Sequence, residues 1–405
     1  MKTLQTLKGF QDILPKEARA RSYIKDIMVT VFEKWGYSPI ETPTLEPLEI
    51  FEGQVGEDEK LFYKFKDYGG RDVALRYDQT VPTVRFLSSN FNELTFPFKR
   101  YQIAPVFRAE KPQKGRFREF TQADVDIFGV DSPTADAEAI AISIDVCKEI
   151  GFDNFKILIN SRSLMKDFPY EAIVSIDKLE KIGEKGVTAD MIKKGISEKD
   201  SKNFLNAIKN LMPNEEIKKI FEYLKSSGYD EKNYEFCPTL ARSFSYSQGP
   251  IWEIVVEGYS GGSVGGGERY DGMVEKLTGK QIPATGVAFG LERVVDAANE
   301  ANLLPDFNED ESVLVTVFNE DTYDKSLEIA SELRSYDIAA YVYPDSTTKL
   351  EKQLKYANKT SIRWVIIIGP EEIASDKVKL KDMEDGKQEM LSLDNAVQLL
   401  FKAQN

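Results

Sequence analysis

Polar and apolar positions alternate along residues 100–129 of this chain, and the alternation predicts a β-hairpin. The two arms flank a basic turn built around Pro112 and Gly115. Because successive strand side chains point to opposite faces, the second arm presents one polar face. That face carries Gln122, Asp124 and Asp126. The intervening positions from 121 to 127 are apolar or small, which suits a buried core.

Apolar residues elsewhere follow helical spacing. A stripe through residues 17–35 predicts an amphipathic helix, and Pro133 opens a second helix over residues 132–147. A stretch rich in lysine and glutamate, at about 164–235, has the same spacing and predicts a helical insertion. Strands are predicted at residues 156–160, 251–256 and from 282, with a helix beginning near 291.

A polar, acidic stretch near residue 305 predicts a domain boundary. Beyond it strands and helices alternate, with strands at 313–318, 339–343 and 364–368 and helices at 322–335 and 349–358. This pattern predicts a small α/β domain with covered strands. The chain is therefore expected to divide into residues 1–305, which include the insertion, and residues 306–405.

The composition describes an ordinary globular chain of 405 residues, 41% hydrophobic and 30% charged. No apolar run reaches membrane-spanning length, and the amino terminus lacks the core of a signal peptide. We therefore expect a cytoplasmic protein without a membrane partner. The net charge of −14 argues against a nonspecific nucleic-acid coat, so no DNA partner is expected, although local basic patches can still bind RNA.

Histidine is absent from the sequence, and the only cysteines are Cys147 and Cys237. A mechanism that needs an imidazole base, a Ser-His-Asp triad or a histidine-rich metal site is therefore excluded. Two cysteines are too few for a disulfide scaffold or a four-ligand zinc site. We predict no metal held by protein ligands.

Four cations fall within eight residues at the tip of the predicted hairpin: Lys111, Lys114, Arg116 and Arg118. Such a cluster suits a polyphosphate whose charge shifts during a reaction. On the first arm, Arg108 and Glu110 are two residues apart and would share a face. The alternative is a solvated hairpin whose charged edge discourages aggregation.

Other residues suggest further ligand contacts. Asp78 and Thr80 would share a strand face, where they could hold an ammonium group, or they could cap a helix. Arg242 lies between apolar residues and needs an anionic partner, either a ligand or a structural carboxylate. Arg293 falls in the first turn of a helix, where an anion would compensate the unfavourable helix dipole.

Residues 107–122 resemble motif 2 of the class II aminoacyl-tRNA synthetases, in the form found in histidyl-tRNA synthetases. The resemblance implies that Arg108 contacts the α-phosphate of ATP and that Glu110 reads the adenine side. It also implies that Arg116 reaches the far phosphates and that Phe120 stacks on the base.

Further segments carry the same resemblance. The first helix and the proline-containing strand after it are similar to motif 1, which implies a homodimer. Residues 76–82 are similar to the segment that binds the substrate α-amino group, which assigns Asp78, Gln79 and Thr80 to amino-acid binding. Arg293 lies in a segment similar to motif 3, which implies contact with the γ-phosphate of ATP.

The segment from Arg242 resembles the histidine-specific signature, usually Arg-Gly-Leu-Asp-Tyr-Tyr-Thr-Gly, and places Arg242 on its catalytic arginine. Tyr246 is retained, whereas Ser245 and Ser247 replace residues of the signature. Glu268 is a second departure, within a run that the family normally reads Gly-Gly-Arg-Tyr-Asp-Gly.

The resemblance also assigns the remaining amino-acid contacts. Gln122 would hold the ammonium end of the substrate, and Asp126 with Tyr246 would hold its side chain. In the family a second tyrosine, at the position of Ser247, helps to hold the imidazole. A serine there still forms hydrogen bonds through a water or a shifted neighbour, or it makes room for a larger substrate.

As a whole, the resemblance implies an α+β fold with the antiparallel class II sheet flanked by helices. It adds a helical insertion against the tRNA acceptor stem and a C-terminal α/β domain of the anticodon-binding type. The implied function is attachment of histidine to its tRNA through an aminoacyl-adenylate, with ATP and Mg²⁺. The departures leave two alternatives: a non-catalytic paralogue that senses histidine or binds RNA, and a ligase with altered amino-acid specificity.

Overall fold

The computed structural model describes residues 4–53, 60–112, 116–242, 247–307 and 312–404. The chain forms two compact units, Met1–Leu304 and Pro305–Asn405. Over the described residues, no helix combines the length and the apolar character needed to cross a lipid bilayer.

The first unit mixes strands and helices. Its described strands are β1 (Ser38–Pro39), β2 (Leu45–Pro47), β3 (Lys64–Lys66), β4 (Asp72–Leu75), β5 (Phe98–Phe107), β6 (Glu119–Phe128), β7 (Phe155–Ser161), β8 (Tyr234–Phe236), β9 (Pro250–Val256), β10 (Gly265–Arg269) and β11 (Ala284–Gly290). Its described helices are α1 (Pro15–Lys34), α2 (Thr80–Asn90), α3 (Pro133–Ile150), α4 (Tyr170–Ile176), α5 (Leu179–Lys193), α6 (Glu198–Lys209), α7 (Glu215–Ser226), α8 (Asp271–Thr278) and α9 (Leu291–Glu300).

Eight strands form the main sheet, in the order β1-β5-β6-β11-β10-β9-β7-β8. The six inner strands pair antiparallel, and β1 and β8 add in parallel at the two edges. Strands β2, β4 and β3 form a separate small antiparallel sheet. The antiparallel sheet flanked by helices that the sequence predicts is therefore confirmed.

The predicted hairpin consists of β5 and β6, which pair along their full length. Ala123 and Val125 on the second arm are fully buried, which confirms the apolar face. Helix α1 packs on that side of the sheet, where the rings of Phe32 and Phe289 lie 6.3 Å apart. The opposite, polar face of the hairpin is therefore the one available to a ligand.

Two expectations from strand alternation are wrong. Strand β5 ends before Arg108 and Glu110, which lie in the hairpin tip. Strand β4 ends before Asp78, and Thr80 is the first residue of α2. The Asp78 carboxylate accepts a hydrogen bond of 3.0 Å from the main-chain N–H of Val81, so it caps the helix. Turns in the backbone, rather than alternation, decide where these four side chains point.

Helix α3 begins as the sequence predicts. The hydroxyl of Ser132 caps it by accepting from the main-chain N–H of Thr134, and Pro133 occupies its first turn. Gly151 ends the helix with a φ of 99°, a left-handed conformation that favours glycine. Helices α1 and α3 also pack against each other, so both flank the sheet.

The predicted insertion consists of two parts in the structure. Helices α4, α5 and α6 surround a small core of their own that includes Ile173, Val187, Met191 and Leu205. Helix α7 instead packs against α3, beside the main sheet. The sequence could not separate the two parts, because both show the same helical spacing.

The second unit is an α/β domain, as predicted. Its described strands are β12 (Val313–Val315), β13 (Ala340–Val342), β14 (Trp364–Ile367), β15 (Val378–Asp382) and β16 (Gln388–Leu391), and its described helices are α10 (Tyr323–Ser335), α11 (Leu350–Lys359), α12 (Pro370–Ala374) and α13 (Leu393–Gln404). The sheet order is β13-β12-β14-β15-β16. Strands β13, β12 and β14 are parallel, and β15 and β16 extend the sheet antiparallel.

Candidate active site

The floor of the site is a patch of small residues at the centre of the main sheet. Gly286 and Ala288 of β11 lie beside Asp126 and Asp124 of β6, and β10 borders them on the other side. A Cβ atom at Gly286 would overlap the Asp126 carboxylate and the main-chain carbonyl of Val125. Because glycine and alanine have little or no side chain, the sheet face between two rows of charged residues stays open.

A narrow cavity of about 60 Å³ lies above this floor. Its charged and hydroxyl-bearing lining residues are Asp78, Thr80, Arg108, Asp124, Asp126, Arg242, Glu268 and Tyr270. The volume is well below the several hundred cubic ångströms of a site for a drug-sized ligand. It suits the side chain of a small polar molecule.

A wider cavity of about 220 Å³ shares Arg108, Gln122 and Arg242 with the narrow one. Four arginines from three distant segments line it: Arg108, Arg116, Arg242 and Arg293. Guanidinium groups repel one another unless an anion lies between them. The convergence of these four arginines therefore suits a polyphosphate. The order of the strands in the sheet brings the arginines together, since their three segments are far apart in the sequence.

Aromatic side chains hold Arg108 at the border between the cavities. Its guanidinium carbon lies 4.3 Å from the ring centre of Tyr77 and 5.1 Å from that of Phe120. Its Nε donates a hydrogen bond of 3.2 Å to the main-chain carbonyl of Tyr77. Each cation–π contact contributes about 0.5–2 kcal/mol, so the side chain is ordered before a ligand arrives.

Arg242 reaches the site across a glycine of β10. Its Nη1 donates to the main-chain carbonyl of Trp252 at 3.4 Å, and its Nη2 lies 3.9 Å from Oε1 of Glu268. A Cβ atom at Gly266 would overlap the guanidinium group. Glycine at this position therefore leaves the space in which Arg242 lies.

Glu268 is a site residue that the sequence marks only as a departure from the family, without assigning it a contact. It is buried on β10, and its carboxylate accepts a hydrogen bond from the hydroxyl of Ser247. Burial raises the pKa of Glu268, and the nearby cation of Arg242 opposes that rise. The glycine-rich run marks Glu268 as a departure from the family pattern, and its strand neighbours bring it to the cavity.

The aspartates of the narrow cavity have raised pKa values because they are buried. For Asp124 the pKa rises to about 8: desolvation is the main cause, Arg100 opposes it, and the carboxylates of Asp126 and Asp78 add to it. Asp126 forms an ion pair with Arg100 and accepts a hydrogen bond of 2.6 Å from the Tyr270 hydroxyl. Desolvation and the neighbouring carboxylates therefore favour the protonated form of Asp124, whereas Asp126 has a cation beside it.

Cations are crowded in the wider cavity. Burial lowers the pKa of Arg293, and the charges of Arg116 and Arg108 lower it further. Arg293 Nη1 donates to the main-chain carbonyl of Ser263 at 2.8 Å, which holds the guanidinium beside the residues that precede β10. Arg116 forms an ion pair with Glu110 and is 41% exposed. Four arginines face three glutamates in this cavity, Glu110, Glu253 and Glu292, so a net positive charge remains for an anion to neutralise.

Most of the residues that the sequence nominates lie at the two cavities. Those at the wider cavity are Arg108, Glu110, Arg116, Phe120, Arg242 and Arg293. Those at the narrow cavity are Asp78, Thr80 and Asp126, and Gln122 lines both. Their catalytic and binding roles stay predictions.

Two nominated residues do not line the cavities, and a third is not among the described residues. The Gln79 amide donates hydrogen bonds to the main-chain carbonyls of Gln122, at 2.8 Å, and Ala104, at 3.3 Å. It therefore connects the start of α2 to the hairpin. Ser247 contacts the cavity through Glu268. Tyr246 lies outside the described residues.

Arg269, in the glycine-rich run, supports the sheet. It is buried, and its Nη2 lies 2.8 Å from the Asp136 carboxylate of α3. It also donates to the main-chain carbonyls of Val130 and Ser132. The side chain therefore fastens β10 to the start of α3 on the side away from the ligand cavities.

The architecture and the site together define a class of protein. An antiparallel sheet carries one arginine after a hairpin strand, a second ahead of β9 and a third at the start of the helix that follows β11. This arrangement is the catalytic unit of a class II aminoacyl-tRNA synthetase.

Comparisons with known proteins identify the family. A family model described as histidyl-tRNA synthetase matches residues 9–184 and 197–294, and one described as an anticodon binding domain matches residues 312–402. The histidine–tRNA ligase of Clostridium tetani is 37% identical, and that of Wolinella succinogenes is 35% identical; each alignment covers 98% of this chain and 98% of the relative. This chain belongs to the histidyl-tRNA synthetase family.

Solved structures agree with that assignment. A histidyl-tRNA synthetase from Nostoc sp. PCC 7120 superimposes with a TM-score of 0.83 at 26% identity and covers 100% of both chains. The apo histidyl-tRNA synthetase of S. aureus has a TM-score of 0.75 at 25% identity, covering 98% of this chain and 100% of that one. The fold of both units is therefore that of the family.

The variant Arg269→Met tests the structural assignment of Arg269. It leaves the Asp136 carboxylate buried without its cation, so we expect a loss of about 3–5 kcal/mol in the free energy of unfolding. Urea unfolding followed by circular dichroism measures the change. The control Arg71→Ala removes an arginine side chain that is 80% exposed, and it should leave the urea concentration at the midpoint of unfolding unchanged. A variant at Arg269 as stable as the parent would contradict the assignment.

Proposed function

We propose that the two cavities bind ATP and histidine side by side and join them as histidyl-adenylate, which then transfers histidine to tRNA. The observation that carries this proposal is the convergence of four guanidinium groups next to a narrow acidic cavity. The function of the family, ATP-dependent attachment of histidine to its tRNA, is the function of this chain. The residue roles below are the part that is proposed.

ATP would occupy the wider cavity. Arg108, fixed at the border between the cavities, would contact the α-phosphate, and Arg293 would hold the γ-phosphate. Phe120 has the Arg108 guanidinium near its ring, and its remaining surface would stack on adenine. Arg116 would exchange part of its contact with Glu110 for the outer phosphates, since its side chain is partly exposed. Glu110 would then read the adenine side.

The side chain of histidine would occupy the narrow cavity. Asp78 and Thr80 would hold the α-ammonium group, with Gln122 at the same end. Arg242, which lines both cavities, would hold the carboxylate where it meets the α-phosphate. Asp126 would face the side chain. Gln79 would support this arrangement through the main chain of Gln122, and Ser247 through Glu268.

The reaction needs positioning and charge stabilisation rather than a protein nucleophile. A carboxylate oxygen of histidine forms a bond to the α-phosphorus, the bond from that phosphorus to the bridging oxygen breaks, and pyrophosphate leaves. Arg108 and Arg242 would stabilise the charge that develops at the α-phosphate, and Arg293 that on the leaving group. A chain without histidine can catalyse this step, because no proton has to leave the attacking carboxylate.

Mg²⁺ would enter with ATP. Within the described residues, no group of three acidic, cysteine or histidine side chains is arranged to bind a metal ion. Mg²⁺ prefers phosphate oxygens, water and one or two carboxylates over an all-protein site. When bound, it would neutralise charge on the β- and γ-phosphates.

The partner of the second unit would be tRNA, because residues 312–402 match the anticodon-binding family model. Recognition would use local contacts, since a net charge of −14 does not favour broad phosphate binding. The chain would act in the cytoplasm, where its tRNA substrate is found, and cell fractionation would test that location.

The first unit would form a homodimer. Leu45 and Phe65 project from the small sheet, and they are 40% and 50% exposed. Tyr68 follows them in a turn and is also exposed. Exposed apolar side chains on one small sheet suggest a surface covered in the assembly. Sedimentation equilibrium should give twice the 45.9 kDa chain mass, and a single-chain mass at micromolar concentration would contradict the dimer.

Amino-acid-dependent exchange of pyrophosphate into ATP tests the function most broadly. Each of the standard amino acids is offered separately to the purified chain with ATP and Mg²⁺. We expect exchange with histidine and background rates with the others. Exchange driven by another amino acid would contradict histidine as substrate, and no exchange with any of them would favour a non-catalytic paralogue.

The variant Arg242→Ala tests the proposed role of Arg242. Without its guanidinium, the charge at the α-phosphate loses a stabilising partner, so histidine-dependent exchange should fall by at least about 100-fold. The control Arg71→Ala, at an exposed turn, should keep the parent rate. Thermal unfolding of both variants checks that they are folded. A folded Arg242→Ala variant with an unchanged rate would remove Arg242 from the mechanism.

A further inference from the structure

Glu292 lines the wider cavity, yet its carboxylate is already engaged by protein groups. Its two oxygens accept from the main-chain N–H of Thr121, each at 3.0 Å. Its Oε1 also lies 2.8 Å from Nη1 of Arg21, and the side chains of Arg21 and Glu292 are only 14% and 8% exposed. Glu292 therefore joins three segments in the interior: the start of α9, the start of β6, and α1.

This contact fills a gap in the pairing of β6. Strand β11 pairs with β6 as far as Gly290, which lies opposite Gln122, and β11 ends there. The next residue of β6 towards the hairpin tip is Thr121, which is buried. A buried main-chain N–H without an acceptor costs free energy. The Glu292 carboxylate, two residues beyond the end of β11, supplies that acceptor.

The contact lies next to two residues that the proposed function assigns to ATP. Thr121 directly follows Phe120, whose ring would stack on adenine. Glu292 directly precedes Arg293, which would hold the γ-phosphate. Phe120 lies opposite Val106 of β5 but beyond the end of β11, so it has a strand neighbour on one side. The Glu292 contact therefore fixes the main chain beside both ATP residues.

Arg21 determines where the Glu292 carboxylate lies. Its Nη1 pairs with Glu292, and its Nη2 donates to Oγ1 of Thr121 at 3.0 Å. A guanidinium group is a planar fork, so it holds two acceptors in a fixed relative position. Helix α1, which carries Arg21, packs against α9, and α9 packs on β6. One side chain thus fastens α9 and β6 to the same helix.

We propose that Arg21 is a positioning residue for ATP, which acts through Glu292 and Thr121 to set the distance between the Arg293 guanidinium and the Phe120 ring. The inference rests on the proposed function, because it assumes that ATP occupies the wider cavity. Arg21 lines neither cavity, so its effect on ATP passes through its two partners.

Histidine binding is expected to be independent of this cluster. Gln122, which would hold the ammonium end, lies opposite Gly290 of β11 and Ala104 of β5. The Gln79 amide also donates to its main-chain carbonyl at 2.8 Å. These contacts hold Gln122 in place without Arg21. Loss of Arg21 should therefore weaken ATP binding and leave histidine binding unchanged, and this difference separates positioning from general structural support.

The variant Arg21→Met keeps most of the length of the side chain and removes the guanidinium group. Glu292 loses its cation and Thr121 one donor, so Phe120 and Arg293 are no longer held at a fixed separation. In histidine-dependent pyrophosphate exchange, KM for ATP should rise about tenfold, while KM for histidine stays within about twofold of the parent value. The rates are measured at a temperature at which circular dichroism shows the variant to be folded. An unchanged KM for ATP would overturn the proposal.

The matched control is Arg85→Met. Nε of Arg85 lies 2.9 Å from the Glu46 carboxylate, and the two side chains are 28% and 3% exposed, so this variant breaks a similar ion pair in the same unit. Neither residue lines a cavity. We expect the urea midpoint to fall in both variants, with parent KM values in Arg85→Met. Equal increases in KM for ATP would show a general effect of lost stability and overturn the positioning role.

Two milder variants keep the proposal testable if Arg21→Met does not fold. Thr121→Val removes only the hydroxyl that accepts from Arg21 Nη2. Arg21→Lys keeps the positive charge beside Glu292 but lacks the planar fork. Each weakens about one hydrogen bond, so KM for ATP should rise about threefold and KM for histidine should not change. Parent KM values for ATP in both variants would also overturn the inference.

A double-mutant cycle tests whether Arg21 acts through Glu292. Glu292→Gln keeps an acceptor for the Thr121 N–H and removes the charge that Arg21 neutralises. Adding Arg21→Met to this variant should raise KM for ATP by less than about threefold, because the two residues act together. A further tenfold increase would overturn the route through Glu292. Absence of histidine-dependent exchange in the parent would instead contradict the proposed function.

Discussion

The site depends on the very small residues, glycine and alanine, at the centre of the main sheet. Gly286 has no room for a Cβ atom beside Asp126, and Gly266 has none beside Arg242. Larger residues there would fill the space between the acidic row of β6 and the residues of β10. Because the floor is low, a ligand can lie against the backbone while charged groups on both sides reach it.

Charge is distributed unevenly across this floor, with a net positive lining in the wider cavity and a net negative lining in the narrow one. Four arginines surround the wider cavity and four carboxyl groups surround the narrow one, and Arg108 and Arg242 belong to both. A zwitterion next to a triphosphate needs this distribution, with its cationic end among acids and its carboxylate between two guanidinium groups. Burial raises the pKa of the Asp124 carboxyl to about 8, so this acid titrates closer to neutral pH than an exposed aspartate.

The sequence predicts the individual strands and helices of this structure better than it predicts how they come together at the site. Alternation along β6 gave the polar face of Asp124 and Asp126 correctly, because the other face packs into a core. It failed for Arg108 and Asp78, since each lies just beyond a strand, where a turn directs the side chain. Glu268 reaches the cavity only through the order β6-β11-β10, and nothing in the sequence around it reports that order.

A crystal structure with a sulfamoyl analogue of histidyl-adenylate tests the central claim most directly. The account predicts adenine and ribose in the wider cavity, with Arg108 and Arg242 in hydrogen-bonding distance of the sulfamoyl oxygens, about 2.7–3.1 Å. It also predicts the imidazole ring in the narrow cavity, above Gly286. An analogue bound elsewhere, or one whose ring lies outside the narrow cavity, would contradict it.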